Sequence, residues 1–309
     1  MSKLAYVFPG QGSQQVGMLS ESEAEVSDTF SEASSVLGYD LWELVSAGPE
    51  EKLNQTEFTQ PALLTASIAL YRLGREAGLQ EPEVVAGHSL GEYSALVAAG
   101  VIEFADAVAL VQKRGQFMQT AVPVGQGGMA AVLGLDDEKV REICESACGD
   151  ELVHAVNFNA PGQVVIAGTN AALERAVEAC KAAGARRAMP LSVSAPFHSA
   201  LMKPAAEQMA MVLSEVTFNT PRIQIVQNID AGIHSSPDAI RENLVSQMFG
   251  AVLWTQTIQK MSALGVTRII ECGPGKVLSG LNKRIDKGLE SDNIDSLQSI
   301  STIGKAEAE

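Results

Sequence analysis

The sequence has few thiols, no long apolar run and an early proline. Four cysteines occur in 309 residues, and none of them belongs to a Cys-x-x-Cys pair. This spacing excludes the common zinc and disulfide patterns and predicts unreactive thiols with no bound metal. No apolar stretch reaches the roughly 18 residues of a membrane-spanning helix, and Pro9 interrupts the N-terminal segment before a signal-peptide core could form. We therefore expect a cytoplasmic protein that does not bind membrane.

Positive charge is also scarce. The chain has 22 Lys and Arg against 37 Asp and Glu, which gives a formal net charge of -15. Nucleic acids and anionic membranes bind clustered cations, so neither is expected as a partner. An acidic protein partner would need a local basic patch.

The order of the predicted elements indicates an α/β fold. A buried strand is predicted at 3–8, a helix at 61–78 with Pro61 in its first turn, and a strand at 83–87. The later elements are helices at about 90–99, 103–121, 200–215, 238–248, 252–263 and 276–286, and strands at 222–227 and 268–272. Such alternation predicts a parallel sheet covered by helices on both faces, as in α/β-hydrolase-like proteins. The polar end, 288–309, is expected to fray.

The segment 125–196 follows a different pattern. Its predicted strands and helices have the order βαββαβ, which is typical of a ferredoxin-like unit. We predict that this subdomain is inserted into a discontinuous catalytic domain made of 1–124 and 197–309. The segments 122–128 and 194–199 would form the two junctions.

The segment 84–100, VVAGHSLGEYSALVAAG, passes from apolar β-formers through a glycine-flanked serine into a helix. A Gly-x-Ser-x-Gly match alone arises by chance in roughly one chain in ten of this length. The strand–turn–helix context predicts a nucleophile elbow, in which Gly87 and Gly91 allow a close approach and Ser89 is the nucleophile. The Leu90 amide at the helix N-terminus can then stabilise an oxyanion. The alternative is an ordinary turn with Ser89 as the N-cap.

A serine nucleophile needs a base, and the chain has only four histidines. His88 adjoins the serine, so support or packing is its expected role, while His154 and His234 are expected to be packed or surface residues. His198 follows the inserted unit and begins a helix, which makes it either the base or a helix cap. No acidic residue lies close to it in sequence. A dyad completed by a backbone carbonyl or a side-chain amide is therefore as plausible as a full triad.

Two further residues have open roles. The first loop, FPGQGSQ, lacks a dinucleotide fingerprint because Gln15 stands where the third glycine is required. The loop either lends the Gln11 amide to an oxyanion or is a plain glycine-rich turn. Arg114 lies in an otherwise apolar helix, so it either points to solvent or meets an anion in a cleft.

With these residues assembled, the chain resembles the malonyl-CoA:acyl carrier protein transacylases of fatty acid synthesis. The resemblance covers nearly the whole length through the segments FPGQGSQ (8–14), TQPA (59–62), GHSLGE (87–92), KRGQFM (113–118), NFNAPGQVVIAG (157–168), SAPFHS (194–199) and ECGPGKVLSGL (271–281). It implies that a serine ester carries malonyl from coenzyme A to the phosphopantetheine thiol of acyl carrier protein. The coenzyme A thioester is then a substrate and not a cofactor, and we expect a monomer.

The resemblance also implies residue roles. Ser89 would be the nucleophile, His198 the base and acid, and Arg114 the bidentate partner of the malonyl carboxylate. The amides of Gln11 and Leu90 would form the oxyanion hole. The remaining implied site residues are Gln247, whose backbone carbonyl would support His198; Phe197, which would crowd a methylmalonyl branch; and His88, Met118, Asn157 and Asn159. The chain departs from its relatives at Gly250 and Ala251, which concerns the loop next to Gln247.

Other functions fit the same residues. A serine hydrolase or thioesterase would let water attack the acyl-enzyme, a standalone acyltransferase would serve polyketide synthesis, and a non-catalytic scaffold would leave Ser89 unlabelled. For the carrier protein we predict a docking patch drawn from exposed cations, against the alternative of scattered solvated charge. The candidates are Arg186, Arg187, Lys276, Lys283 and Arg284.

Overall fold

The computed structural model describes residues 3–123, 125–193 and 195–308. The predicted junction residues Val124 and Ser194, and the terminal positions 1, 2 and 309, lie outside the described residues. The strands are β1 (Lys3–Phe8), β2 (Val84–Gly87), β3 (Gly127–Leu133), β4 (Val153–Ala160), β5 (Gln163–Thr169), β6 (Arg187–Pro190), β7 (Gln224–Ile225), β8 (Val266–Cys272) and β9 (Glu290–Ile294).

The helices surround these strands. They are α1 (Glu23–Leu37), α2 (Leu41–Ala47), α3 (Glu50–Leu53), α4 (Thr56–Glu76), α5 (Gly91–Ala98), α6 (Phe104–Thr120), α7 (Asp137–Cys148), α8 (Asn170–Ala182), α9 (Lys203–Ser214), α10 (Pro237–Gln247), α11 (Trp254–Ala263), α12 (Val277–Ile285) and α13 (Leu297–Ala308). Within the described residues, none of them is both long and apolar enough to cross a bilayer.

The larger sheet is parallel and has the strand order β7-β2-β1-β8-β9. Side chains alternate across it, because successive residues of a strand point to opposite faces. Leu4, Tyr6 and Phe8 of β1 pack in the core with α4 and α6. Ala5 and Val7 pack in the second core with α11 and α12. The predicted α/β class with a helix-covered parallel sheet is confirmed.

The smaller sheet is antiparallel and has the order β4-β5-β3-β6. β3 and β4, which are connected by α7, are separated in the sheet by β5, and β5 and β6, which are connected by α8, are separated by β3. This is the arrangement of a βαββαβ unit. The helices α7 and α8 bury their apolar sides in a core of their own against this sheet. The exact bounds of the two domains, 1–124 with 197–309 and 125–196, remain predictions.

The helix predicted at 61–78 begins earlier in the structure than expected. α4 starts at Thr56, so Pro61 lies inside the helix and not in its first turn. Tertiary packing explains the extension, because Gly115 of α6 lies directly against the first residues of α4. A Cβ on Gly115 would lie 2.6 Å from the Thr56 carbonyl oxygen, and only a glycine permits this contact.

The prediction of a frayed C-terminus is wrong. Residues 290–294 form the edge strand β9, which pairs in parallel with β8, and α13 follows it. Arg268 donates to Asp292 of β9 at 2.9 Å and to Glu307 of α13 at 3.0 Å. Ile300 and Ile303 are buried in the main core. Ion pairs and two buried isoleucines therefore order this C-terminal segment, although its composition is polar.

Candidate active site

Ser89 lies in the sharp turn between β2 and α5, with a left-handed φ of 52°. The two flanking glycines are required by sterics. A Cβ on Gly87 would lie 1.9 Å from the Gly91 carbonyl carbon, and a Cβ on Gly91 would lie 2.1 Å from the Phe8 carbonyl oxygen. These contacts hold β1, β2 and α5 so close together that the serine between the glycines takes a strained conformation.

Asn228, just after β7, clamps this turn from the other side. Its Oδ1 accepts from the Ser89 backbone amide at 2.7 Å, and its Nδ2 donates to the Gly87 carbonyl at 2.7 Å. The carboxyl ends of parallel strands meet at one edge of a sheet, and loops there commonly build sites. The side chain therefore fixes the backbone on both sides of His88.

His198 is in hydrogen-bond contact with the serine. Its Nε2 lies 2.8 Å from Ser89 Oγ, and its Nδ1 lies 2.7 Å from the backbone carbonyl oxygen of Gln247. A carbonyl oxygen only accepts, so Nδ1 carries the hydrogen and the Nε2 lone pair faces the serine hydroxyl. Burial, together with the charge of Arg114, lowers the pKa of His198 to about 3. The resting imidazole is thus neutral, as a general base must be.

Arg114 points into the protein and is only 1% exposed. Its Nη1 donates to Gln60 Oε1 at 2.9 Å, and its Nη2 donates to Gln247 Oε1 at 2.8 Å and to Ser89 Oγ at 3.2 Å. Its direct hydrogen-bond acceptors are neutral groups, and Nε has no partner among the described residues. The guanidinium therefore faces the nucleophile with charge left to bind an anion.

Two backbone amides beside Ser89 are free to donate. Gln11 and Leu90 line the same cavity as the serine, and neither amide donates to an acceptor among the described residues. The Gln11 loop is held against the turn, because a Cβ on Gly10 would lie 2.5 Å from the His88 carbonyl oxygen. Unpaired amides next to a nucleophile are the geometry of an oxyanion hole.

The cavity over Ser89 measures about 130 Å³ and lies between the two sheets. Drug-sized ligands occupy pockets of about 300–1,000 Å³, so this space suits a small acyl group. Its lining residues are Gln11, Gln60, His88, Ser89, Leu90, Arg114, Met118, Met129, Asn157, Val165, Leu191, Val193, Phe197 and His198. A larger groove of about 530 Å³, along α1 and α2, contains none of the predicted site residues.

The predicted supporting residues have different positions. Met118, Asn157 and Phe197 line the cavity, and the Asn157 side-chain oxygen is buried with no partner among the described residues. Asn159 does not line it; its Oδ1 lies 2.8 Å from His88 Nε2. His88 also packs near Trp254, and burial lowers its pKa.

The remaining predicted residues do not line the cavity over Ser89. His154 lies in β4, and His234 is in a loop, 2.8 Å from an Asp230 carboxylate oxygen. The five candidate docking cations are all exposed. Arg187 lies on β6, Lys283 and Arg284 lie on α12, and Arg284 contacts Gln163.

Sequence reasoning missed three polar residues that surround the dyad. Gln60 and Glu92 stand inside the quoted segments TQPA and GHSLGE, yet neither received a role. Both are buried, as is Asn228. The sequence signal that could have found them is a polar residue within an otherwise apolar helix or just after a strand. Such a residue is expected to be buried, and a buried polar group must have a hydrogen-bond partner.

A family model named acyl transferase domain matches residues 5–308. The malonyl CoA-acyl carrier protein transacylase of Escherichia coli strain K12 is 58% identical over 288 residues, 92% of this chain and 93% of that protein. The enzyme of the same name from Haemophilus influenzae is 54% identical over 307 residues and covers 98% of each chain.

Solved structures agree with these relatives. The acyl-carrier-protein S-malonyltransferase from Burkholderia pseudomallei superimposes with a TM-score of 0.96 at 53% identity, covering 98% of this chain and 99% of that one. A malonyl-transacylase in complex with its type II PKS acyl-carrier protein gives a TM-score of 0.97 at 51% identity, covering 99% and 100%. The chain belongs to the acyl transferase domain family.

Proposed function

We propose that this chain transfers the malonyl group of malonyl-CoA to the phosphopantetheine thiol of acyl carrier protein, through a malonyl ester on Ser89. One observation carries the proposal most directly: a buried guanidinium, that of Arg114, lies 3.2 Å from the nucleophile oxygen. A buried carboxylate without a cation would be costly, whereas this guanidinium compensates it. A neutral acetyl group would leave the same cation unpaired.

The first half-reaction acylates the serine. Nε2 of His198 accepts the Ser89 proton while Oγ attacks the thioester carbonyl carbon. The carbonyl oxygen gains the negative charge and is stabilised by the amides of Gln11 and Leu90. Collapse of the tetrahedral intermediate breaks the carbon–sulfur bond, and the imidazolium of His198 returns its proton to the coenzyme A thiolate.

The second half-reaction reverses the first with a new thiol. His198 removes the proton from the carrier's phosphopantetheine thiol, the sulfur attacks the ester carbonyl, and Ser89 leaves with its proton restored. Throughout both steps Arg114 holds the distal carboxylate, and Phe197 crowds the carbon between the two carbonyls. The coenzyme A thioester enters as a substrate, and these steps use no bound cofactor.

The cellular setting is part of the same proposal. The relatives' names support acyl carrier protein as the partner. We place the enzyme in the cytoplasm, where it supplies malonyl units to fatty acid synthesis. Every group of the proposed mechanism comes from one chain, which supports a functional monomer.

The function is tested by separate incubations with malonyl-CoA and acetyl-CoA, followed by digestion and mass spectrometry. We expect a malonyl adduct on the Ser89 peptide and none in Ser89→Ala. Adding the holo carrier protein should convert the adduct to malonyl-carrier product. Accumulation of free malonate instead would indicate a hydrolase, and the absence of any adduct would refute a serine ester.

The docking patch has its own test. Charge reversal at Arg187 and at Arg284 should raise KM for the carrier protein and leave the malonyl-CoA half-reaction unchanged. The reason is that these charges would attract the acidic carrier protein as it approaches and would not act on the chemical step. A matched reversal at Lys139, whose contact is Glu142, provides the control. Unchanged carrier KM in all three variants would refute the patch.

A further inference from the structure

A buried carboxylate lies directly behind the dyad and has no assigned role. Glu92 is 0% exposed and sits in the first turn of α5. Its Oε1 accepts from Gln227 Nε2 at 2.9 Å, and its Oε2 accepts from the Asn228 amide at 2.8 Å and from Gln247 Nε2 at 3.0 Å. None of these donors is charged, and no salt bridge involves Glu92 within the described part of the chain.

The donor set favours the ionised form. Three N–H groups donate to the carboxylate. Burial raises the pKa of Glu92, while these hydrogen bonds and the charge of Arg114 oppose that shift. Arg114 is connected to this carboxylate through one side chain.

That side chain is the amide of Gln247. Its Nε2 donates to Glu92, and its Oε1 accepts from Arg114 Nη2 at 2.8 Å. The same Nε2 lies 3.1 Å from the Ser89 carbonyl oxygen, and the backbone carbonyl of Gln247 accepts from His198 Nδ1. Gln247 therefore contacts the nucleophile turn, the base, the cation and Glu92 at once.

We propose that Glu92 is a positioning residue, whose carboxylate orients the Gln247 amide and thereby aligns both His198 and Arg114 on Ser89. If the Gln247 amide turned over, its NH2 group would face the guanidinium, which has only donors. The carboxylate prevents this because it accepts from Nε2. The inference rests on the proposed function, and it explains how a dyad without a neighbouring aspartate is held.

The chain offers a matched control. Glu271, at the end of β8, is also 0% exposed and also accepts three hydrogen bonds, from Leu278 N and from the amide and hydroxyl of Ser279. These partners belong to the start of α12 and not to the cavity lining. Glu271→Gln therefore reproduces the structural cost of neutralising a buried carboxylate without disturbing Gln247.

Glu92→Gln and Glu271→Gln would be compared in three measurements. These are kcat for malonyl transfer, the malonyl-over-acetyl preference, and the rate at which a small neutral sulfonyl fluoride labels Ser89. This labelling reaction requires Ser89 and His198, but the reagent carries no carboxylate for Arg114 to bind. A displacement of about 1 Å in a site costs about a hundredfold in rate. We expect Glu92→Gln to lower kcat and labelling by about 10- to 100-fold and to reduce the preference, with Glu271→Gln within about threefold of wild type.

Several results would overturn the inference. One is a Glu92→Gln enzyme with labelling and preference near wild type; another is an equal loss in both variants. If Glu92→Gln does not fold, Gln247→Leu, which keeps the backbone carbonyl, decides: unchanged labelling and preference there would exclude action through the amide. If wild type transfers no malonyl but labelling still falls in Glu92→Gln, the proposed function fails and the positioning role stands.

Discussion

Arg114→Ala removes the only guanidinium that the described residues place in the cavity. In the resting enzyme this side chain donates to Gln60, Gln247 and Ser89. Alanine leaves space where the guanidinium was, so a malonyl ester could still enter. Its carboxylate would then be buried next to the two amide oxygens of Gln60 and Gln247, which repel it. The variant thus converts a paired anion into an unpaired one.

The size of the effect follows from that change. Removing one partner of a buried ion pair costs about 3–5 kcal/mol, and each 1.4 kcal/mol corresponds to a tenfold change. We therefore expect kcat/KM for malonyl-CoA to fall by roughly 10²- to 10⁴-fold. Acetyl-CoA has no distal carboxylate, so kcat/KM for acetyl-CoA should fall much less. The malonyl-over-acetyl preference should consequently fall at least about a hundredfold.

The assay is a competition between the two thioesters, with the adducts on Ser89 quantified by mass spectrometry. Arg114→Lys should show an intermediate preference, because a lysine retains the charge but not the planar pair of donors. Arg268→Ala, which breaks contacts to Asp292 and Glu307 and does not touch the cavity lining, controls for lost stability. A preference in Arg114→Ala within about threefold of wild type would refute a carboxylate-binding role for this residue.

Four further predictions follow from the same structure. Because the pKa of His198 is lowered to about 3, Ser89 acylation measured from about pH 8 to about pH 5 should show no decline centred near 6.5. Between pH 6.5 and 3 the unfolded chain binds a proton at His198 that the native chain does not bind. The free energy of unfolding, measured by urea titration, should therefore fall as the pH is lowered through this range, by at most about 5 kcal/mol. Gly91→Ala should yield little folded protein by circular dichroism, since its Cβ would lie 2.1 Å from the Phe8 carbonyl oxygen; a folded, labelled variant would contradict this. Deleting 297–309 should lower the thermal midpoint, because Ile300 and Ile303 lose their core contacts; an unchanged midpoint would contradict the packing of α13.

Much of the fold could be predicted because local patterns agree with the global one. The apolar run of β1, the β2–turn–α5 passage and the alternating elements of β3–β6 each carry their own signal. The segment between β1 and α4 carries much less. α2 and α3 are short, with seven and four residues, and they pack against their sequence neighbours α1 and α4. The C-terminal segment was ordered by partners, Arg268 above all, that lie elsewhere in the sequence.

Some residues of the candidate site could likewise be predicted from local sequence, and others could not. Ser89 and its glycines were found from local sequence, because the strand–turn–helix geometry is encoded within a few residues. His198 and Gln247 required the resemblance, since 49 residues separate them and no local pattern joins them. Glu92 and Asn228 were missed because their partners come from other elements. Only the folded chain shows that a carboxylate in the first turn of α5 reaches the end of α10.

Arg114 also connects substrate choice to the chemistry. Its positive charge is one cause of the lowered pKa of His198, after burial. Under the proposed function, the malonyl carboxylate binds this guanidinium and brings an opposite charge beside it. Part of the depression of the His198 pKa is then removed, so the imidazole becomes a stronger base once an acidic acyl group is in place. An acetyl group brings no such charge, so it is disfavoured in the acylation step as well as in binding.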